Sequence, residues 1–328
     1  MKKNLFTAAK PTGRLTLGNY IGAVDNWKKM QEENNSIFCV ADLHSLTVNI
    51  DPQELRSNSY AVMANYLACG LDPKKAVLYY QSQIPAHTEL CWLMDCMTSM
   101  GEASRMTAYK EKASNKNMVS VGLFNYPMLM AADILLYDTD LVPIGEDQRQ
   151  HLELARNLAI RFNNKYGETF VVPQGVYQKV GAKIYNLQNP TKKMSKSDFD
   201  NSGNILLEDS IDLIKQKIKR AVTDSESEIR FDPQNKPGVS NLMSIYSVLT
   251  KKDMKEVEKF FEGKNYGALK GEVTDVVVET LAPVQEKFNY YMANTDEIIK
   301  IAQNGAERIR EKAENKIKLV KQKMGLIF

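Results

Sequence analysis

Short apolar runs bounded by turn residues alternate with stretches of helical period through the first half of the chain, and this alternation limits the possible folds most. Leu5-Phe6-Thr7, Ile37-Phe38-Cys39-Val40 and Ala76-Val77-Leu78-Tyr79-Tyr80 read as strands, with Ile21 to Met30 and Glu54 to Cys69 as helices between them. That order builds βαβ units on a parallel sheet. Asn125 to Tyr137 then reads as a mostly apolar helix, Leu141-Val142-Pro143-Ile144 as a short strand and Asp147 to Lys165 as a further helix. Past the turn residues Asn189-Pro190 and Ser202-Gly203 the pattern is helical only: Ser210 to Val222, Val239 to Leu249, Lys252 to Glu262 and Leu269 to Met292. The expected fold is α/β, with a parallel-sheet domain over residues 1–200 and a smaller all-helical domain over 201–293. A charged helix within 294–328 carries apolar teeth at Ile299, Ala302, Ala306, Ile309 and Ala313, and is expected to pack back on the first domain.

A chain of 328 residues can bury a large core. It has no apolar run long enough to span a bilayer, and Met1-Lys2-Lys3-Asn4 leads straight into a strand rather than a signal segment, so the expected address is the cytoplasm with no membrane partner. The four cysteines, Cys39, Cys69, Cys91 and Cys96, form no CxxC pair, so neither zinc nor an iron–sulfur cluster is expected. A net charge of +3 is too small to decide for or against nucleic acid.

Two distant stretches carry chemistry. The first, Ala8 to Tyr20, joins a strand to a helix start, where free backbone N–H groups favour phosphate and Gly13 and Gly18 permit close approach. A plain turn with Thr16 capping the helix is the alternative. The second is Lys192-Lys193-Met194-Ser195-Lys196-Ser197, whose three ammonium groups and two hydroxyls suit a triphosphate; a solvated lysine-rich turn is its alternative.

Together these stretches resemble the two signatures of class I aminoacyl-tRNA synthetases. Thr16-Leu17-Gly18-Asn19 is a variant of HIGH in the form usual among tryptophanyl enzymes, and Lys193 to Ser197 matches KMSKS letter for letter. Met130 to Leu135, Gly145 to Gln148 and Ala221 to Ser225 also resemble that family, so the likeness runs from Phe6 to about Gly325. It implies a Rossmann-like catalytic domain, ATP with Mg²⁺ and tryptophan as substrates, tRNA(Trp) as partner, an anticodon-binding helical domain and a homodimer. Thr16, Asn19, Lys112, Lys193 and Lys196 are then the expected catalytic groups. ATP would be held by Lys10, Pro11, Thr12, Gly18, Asn19, Gly145, Asp147 on the ribose, Ile184, and Lys193 to Ser197, with main chain near Met194 and Ile184 framing adenine.

Asp133 stands in an apolar helix, where a carboxylate needs a partner; a ligand N–H would be one and an internal ion pair another. The resemblance gives Asp133 the indole nitrogen, Phe6, Met130 and Val142 the ring, His44 a place beside it, and Tyr126 and Gln148 the α-amino group. Related tyrosyl enzymes usually carry Tyr at the position of Phe6, which leaves a tyrosyl synthetase as one alternative and a non-aminoacylating sensor as another. Lys10, where Gln is common near the substrate carboxylate, and Ala108 depart from the pattern and imply altered affinity. Lys215, Lys217, Lys219 and Arg220, with Arg308, Arg310, Lys312, Lys316, Lys318 and Lys321, are candidate tRNA phosphate contacts.

Overall fold

The computed structural model describes residues 2–11, 15–106, 120–177, 183–194 and 201–327. Five strands form one parallel sheet in the order β3-β2-β1-β4-β5. They are β1 (Asn4–Ala9), β2 (Asn35–Val40), β3 (Val77–Tyr80), β4 (Leu141–Ile144) and β5 (Gln174–Tyr177). Chain order runs outward from β1 in both directions, so the sheet has its switch point between β1 and β4, where α/β folds place ligands. Pro143 gives β4 no N–H at its centre, and the β1–β4 register is the single pair Leu5 to Leu141. Beyond that pair the two strands part towards their C-terminal ends.

Helix α1 (Leu17–Glu33) starts on a capping box in which Thr16 and Asn19 satisfy each other's backbone N–H. After α2 (Asp42–Ser45), helix α3 (Pro52–Ala68) is capped by Asp51 with Pro52 at its first turn. Two short helices, α4 (Ala86–Asp95) and α5 (Met100–Ala103), precede α6 (Val121–Leu135), which buries Leu123, Ala131, Ala132 and Asp133. Helix α7 (Arg149–Tyr166) runs between β4 and β5. Neither α4 nor β5 was expected from the sequence.

The remaining elements are helical: α8 (Ile211–Lys219), α9 (Pro237–Thr250), α10 (Met254–Phe261), α11 (Tyr266–Ala293) and α12 (Thr295–Met324). The apolar faces of α8 to α11 share one cluster with Leu17, Ile184 and Met194, whereas that of α12 belongs to the two clusters around the sheet. Helix α12 lies along the edge strand β3, so close that a Cβ on Gly305 would overlap the Leu78 carbonyl oxygen at 1.9 Å. Covering that edge removes a template for strand pairing. The buried stripe of α12 begins at Ile298; Ile299 is only partly buried. Among the described residues no helix is long and apolar enough to cross a membrane.

Candidate active site

A cavity of about 1020 Å³ opens where β1 and β4 part. Phe6, Thr7 and Ala8 supply one wall and Val142, Pro143 and Ile144 the other. Met130, Ile134 and Tyr126 of α6 close a side, and Lys10 after β1 joins His44 of α2 and Thr47 just beyond it on another. Gly145, Asp147 and Gln148 form the rim after β4. All eight residues expected around the amino acid therefore border one space. Tyr126 OH lies 3.0 Å from His151 Nε2, Lys10 Nζ donates to Thr47 Oγ1 at 3.2 Å, and Gln148 Nε2 donates to Asp147 Oδ2 at 2.8 Å.

Asp133 is 2% exposed and still borders the cavity. Oδ1 accepts from Gln81 Nε2 at 2.7 Å and meets His87 Nδ1 at 2.6 Å, and Oδ2 meets His44 Nε2 at 2.9 Å. Asp133 thus has the internal partners that one reading of the sequence expected, and it also keeps a face on the cavity. Burial pushes its carboxyl up, but His87 and His44 outweigh burial and hold it below the usual carboxylate range. It remains an anion at the end of an apolar slot.

Gly18 and Met194, both expected on the nucleotide, face each other: a Cβ on Gly18 would meet Met194 Cβ at 3.5 Å. Met194 N donates to Ile184 O at 2.9 Å, and Leu17 N to Ile205 O at 2.8 Å, so the residues flanking the lysine-rich stretch are stitched to the start of α1. Thr16 is fully buried with its hydroxyl on the cap, Pro11 is buried, and Lys193 is exposed. A Cβ on Gly145 would come within 2.6 Å of Asp147 Oδ1, so the Asp147 carboxylate would have to turn aside. Thr12, Ala108, Lys112, Ser195, Lys196 and Ser197 lie outside the described residues.

A sequence profile described as "tRNA synthetases class I (W and Y)" matches residues 2–282. The chain is 51% identical over 326 residues to the tryptophan–tRNA ligase of Caldanaerobacter subterraneus, covering 99% of both. The chain belongs to the tryptophanyl-tRNA synthetase family. The tryptophan–tRNA ligase of Bacillus subtilis is 49% identical, over 99% of this chain and 98% of that one. The tryptophanyl-tRNA synthetase of Campylobacter jejuni, solved with ADP and tryptophan, superposes with a TM-score of 0.87 at 33% identity, covering 98% of this chain and 100% of that one. Membership at this similarity makes the chain an aminoacyl-tRNA synthetase whose activity is that of a tryptophan–tRNA ligase, rather than a tyrosyl enzyme or a sensor.

Several basic residues expected at the family's tRNA surface are occupied elsewhere. Lys217 is buried, with Nζ 2.6 Å from Asp209 Oδ2 and 2.8 Å from Asn204 O. Lys316 is buried against Asp138 and Thr169 O, and Arg308 donates to Pro73 O. Periodicity could not tell these docking cations from solvated ones. Reading from sequence also missed Gln81 and His87, because only the fold brings the turn after β3 and the start of α4 to Asp133, and nothing in the local sequence marks either residue.

Proposed function

We propose that the cavity between β1 and β4 holds tryptophan with its indole N–H on Asp133, its ring against Phe6, Met130 and Val142, His44 beside it, and its α-amino group near Tyr126 and Gln148. The carrying observation is that the Asp133 carboxylate, held by Gln81, His87 and His44, borders the cavity at the buried end of an apolar slot. An indole N–H donor fits it, and an all-carbon ring edge does not. The Campylobacter relative's complex with ADP and tryptophan supports the pairing of the two ligands.

ATP sits, on this reading, over Gly18 and the main chain at Met194 and Ile184, with Asp147 on the ribose. Lys193, Lys196 and Lys112 neutralise the phosphates, and Lys10, Pro11, Thr12, Asn19, Gly145, Ser195 and Ser197 complete the nucleotide side. Mg²⁺ would enter with the triphosphate and screen its charge. The tryptophan carboxylate attacks the α-phosphorus in line, and the bond to the β-phosphate oxygen breaks as pyrophosphate leaves. The terminal ribose hydroxyl of tRNA(Trp) then attacks the acyl carbon, transferring its proton to solvent as AMP departs. Positioning and charge stabilisation supply the rate, with no protein nucleophile.

The helical region over 201–293 reads the anticodon, and the enzyme works in the cytoplasm as a homodimer. Trp92, Met100 and Val121, exposed at 67%, 70% and 81% on the adjoining helices α4, α5 and α6, supply the apolar face for a second copy. Amino-acid-dependent ATP–pyrophosphate exchange tests the catalytic reading. Tryptophan should support exchange, tyrosine and phenylalanine about 10⁴-fold less; comparable exchange with tyrosine would overturn it.

A further inference from the structure

The loop and helix after β3 place a second histidine beneath Asp133. His87 is fully buried and does not border the cavity, yet its Nδ1 lies 2.6 Å from Asp133 Oδ1. On the far side of the ring, Nε2 lies 2.8 Å from Tyr79 OH and 2.9 Å from Tyr137 OH. Tyr79 OH also lies 3.1 Å from Tyr137 OH. A carboxylate can only accept, so the imidazole proton sits on Nδ1, facing Asp133, and Nε2 is left to accept from the tyrosine hydroxyls.

A carboxylate offers about four acceptor positions. Gln81 and His87 fill both on Oδ1, and His44 takes one on Oδ2. The single acceptor position left is on Oδ2, the oxygen shared with His44, which itself borders the cavity. Without the two donors on Oδ1 only the His44 contact on Oδ2 would hold the carboxylate against rotation about its Cβ–Cγ bond.

We propose that His87, backed by Tyr79 and Tyr137, is a positioning residue for amino-acid specificity: it locks Asp133 so that one lone pair of Oδ2 points at the ligand's ring N–H. The inference rests on the proposed indole contact of Asp133. It predicts an effect confined to ligands that carry the N–H, which a merely structural role for His87 would not produce.

The test compares tryptophan with β-(benzothiophen-3-yl)alanine, an isostere with sulfur in place of N–H, by kcat/KM in pyrophosphate exchange. The wild type should prefer tryptophan by about 10²-fold, the cost of leaving one acceptor position of a buried carboxylate unsatisfied. His87→Leu should cut that preference about tenfold by raising KM for tryptophan while the isostere's KM stays put. His87→Asn, whose amide keeps a donor near the Nδ1 position, should restore most of it. Equal losses for both ligands, or an unchanged preference in His87→Leu, would overturn the proposal. Should His87→Leu fail to fold, Tyr137→Phe decides: a reduced preference supports the proposal and an unchanged one rejects it. Asp133→Ala, which removes every side-chain acceptor, separates the two readings. If it keeps the full preference, the indole contact itself is wrong; if it loses the preference while His87→Leu keeps it, only the role of His87 fails.

Discussion

Gly18 and Met194 touch: a side-chain carbon added to the glycine would stand 3.5 Å from Met194 Cβ and 3.6 Å from its carbonyl oxygen. Those spacings are ordinary van der Waals contact, so alanine fits the folded chain. As the second residue of a helix it should even gain about 0.5 to 1 kcal/mol. The same methyl occupies the surface on which the nucleotide is proposed to lie. Gly18→Ala is therefore expected to keep or raise the thermal midpoint while losing about 10²-fold in kcat/KM for ATP. Unchanged ATP kinetics would remove Gly18 from the nucleotide site.

Gly305 gives the opposite case, because its neighbour is backbone and cannot yield. A methyl at 1.9 Å from Leu78 O would push α12 off β3. Gly305→Ala should cost about 3 kcal/mol in urea unfolding. A loss below about 0.5 kcal/mol, as for an ordinary surface site, would mean that the helix slides freely on the strand.

Lys217 ties α8 to the segment that follows the lysine-rich stretch: Asp209 Oδ2 takes both Lys217 Nζ and Leu206 N, and Leu207 N donates to Leu15 O. Replacing it by methionine leaves Asp209 buried without its cation. Lys217→Met should lose about 3 to 5 kcal/mol. Lys215→Met, on the exposed face of the same helix, should stay within about 0.5 kcal/mol. Chemical denaturation of the pair checks this, and equal stabilities would contradict the buried-pair account.

The apolar face at Trp92 makes a claim about assembly. Trp92→Glu should turn a sedimenting dimer into monomers at micromolar concentration, because a charge in an apolar interface is left without a partner. A wild-type chain that sediments as a monomer would refute the proposed dimer face.

Much of this architecture can be read from the sequence because period is a physical consequence of burial. Strands β1 to β4 and the long helices show it in Leu5, Phe38, Leu78 and Val142, all buried. Strand β5 escapes such reading: it is an edge of four residues with Gly175 inside and Pro173 before it, and it buries little. Helix α4 escapes because ten residues give too few turns for a stripe to stand out. The site divides in the same way. Asp133 is conspicuous as a charge in an apolar helix, whereas Gln81 and His87 become meaningful only once β3 and α6 are neighbours across the core. Charge patterns mislead where a cation docks a helix, as at Lys316, since a buried amine with carbonyl partners and a solvated one have the same letter.

A structure of the tryptophan complex at a resolution that fixes the orientation of the indole is the most direct test. The ring should lie between Phe6 and Val142 with its nitrogen within about 3.2 Å of an Asp133 carboxylate oxygen. A ring turned so that the nitrogen faces the rim, with only carbon against Asp133, would contradict the account.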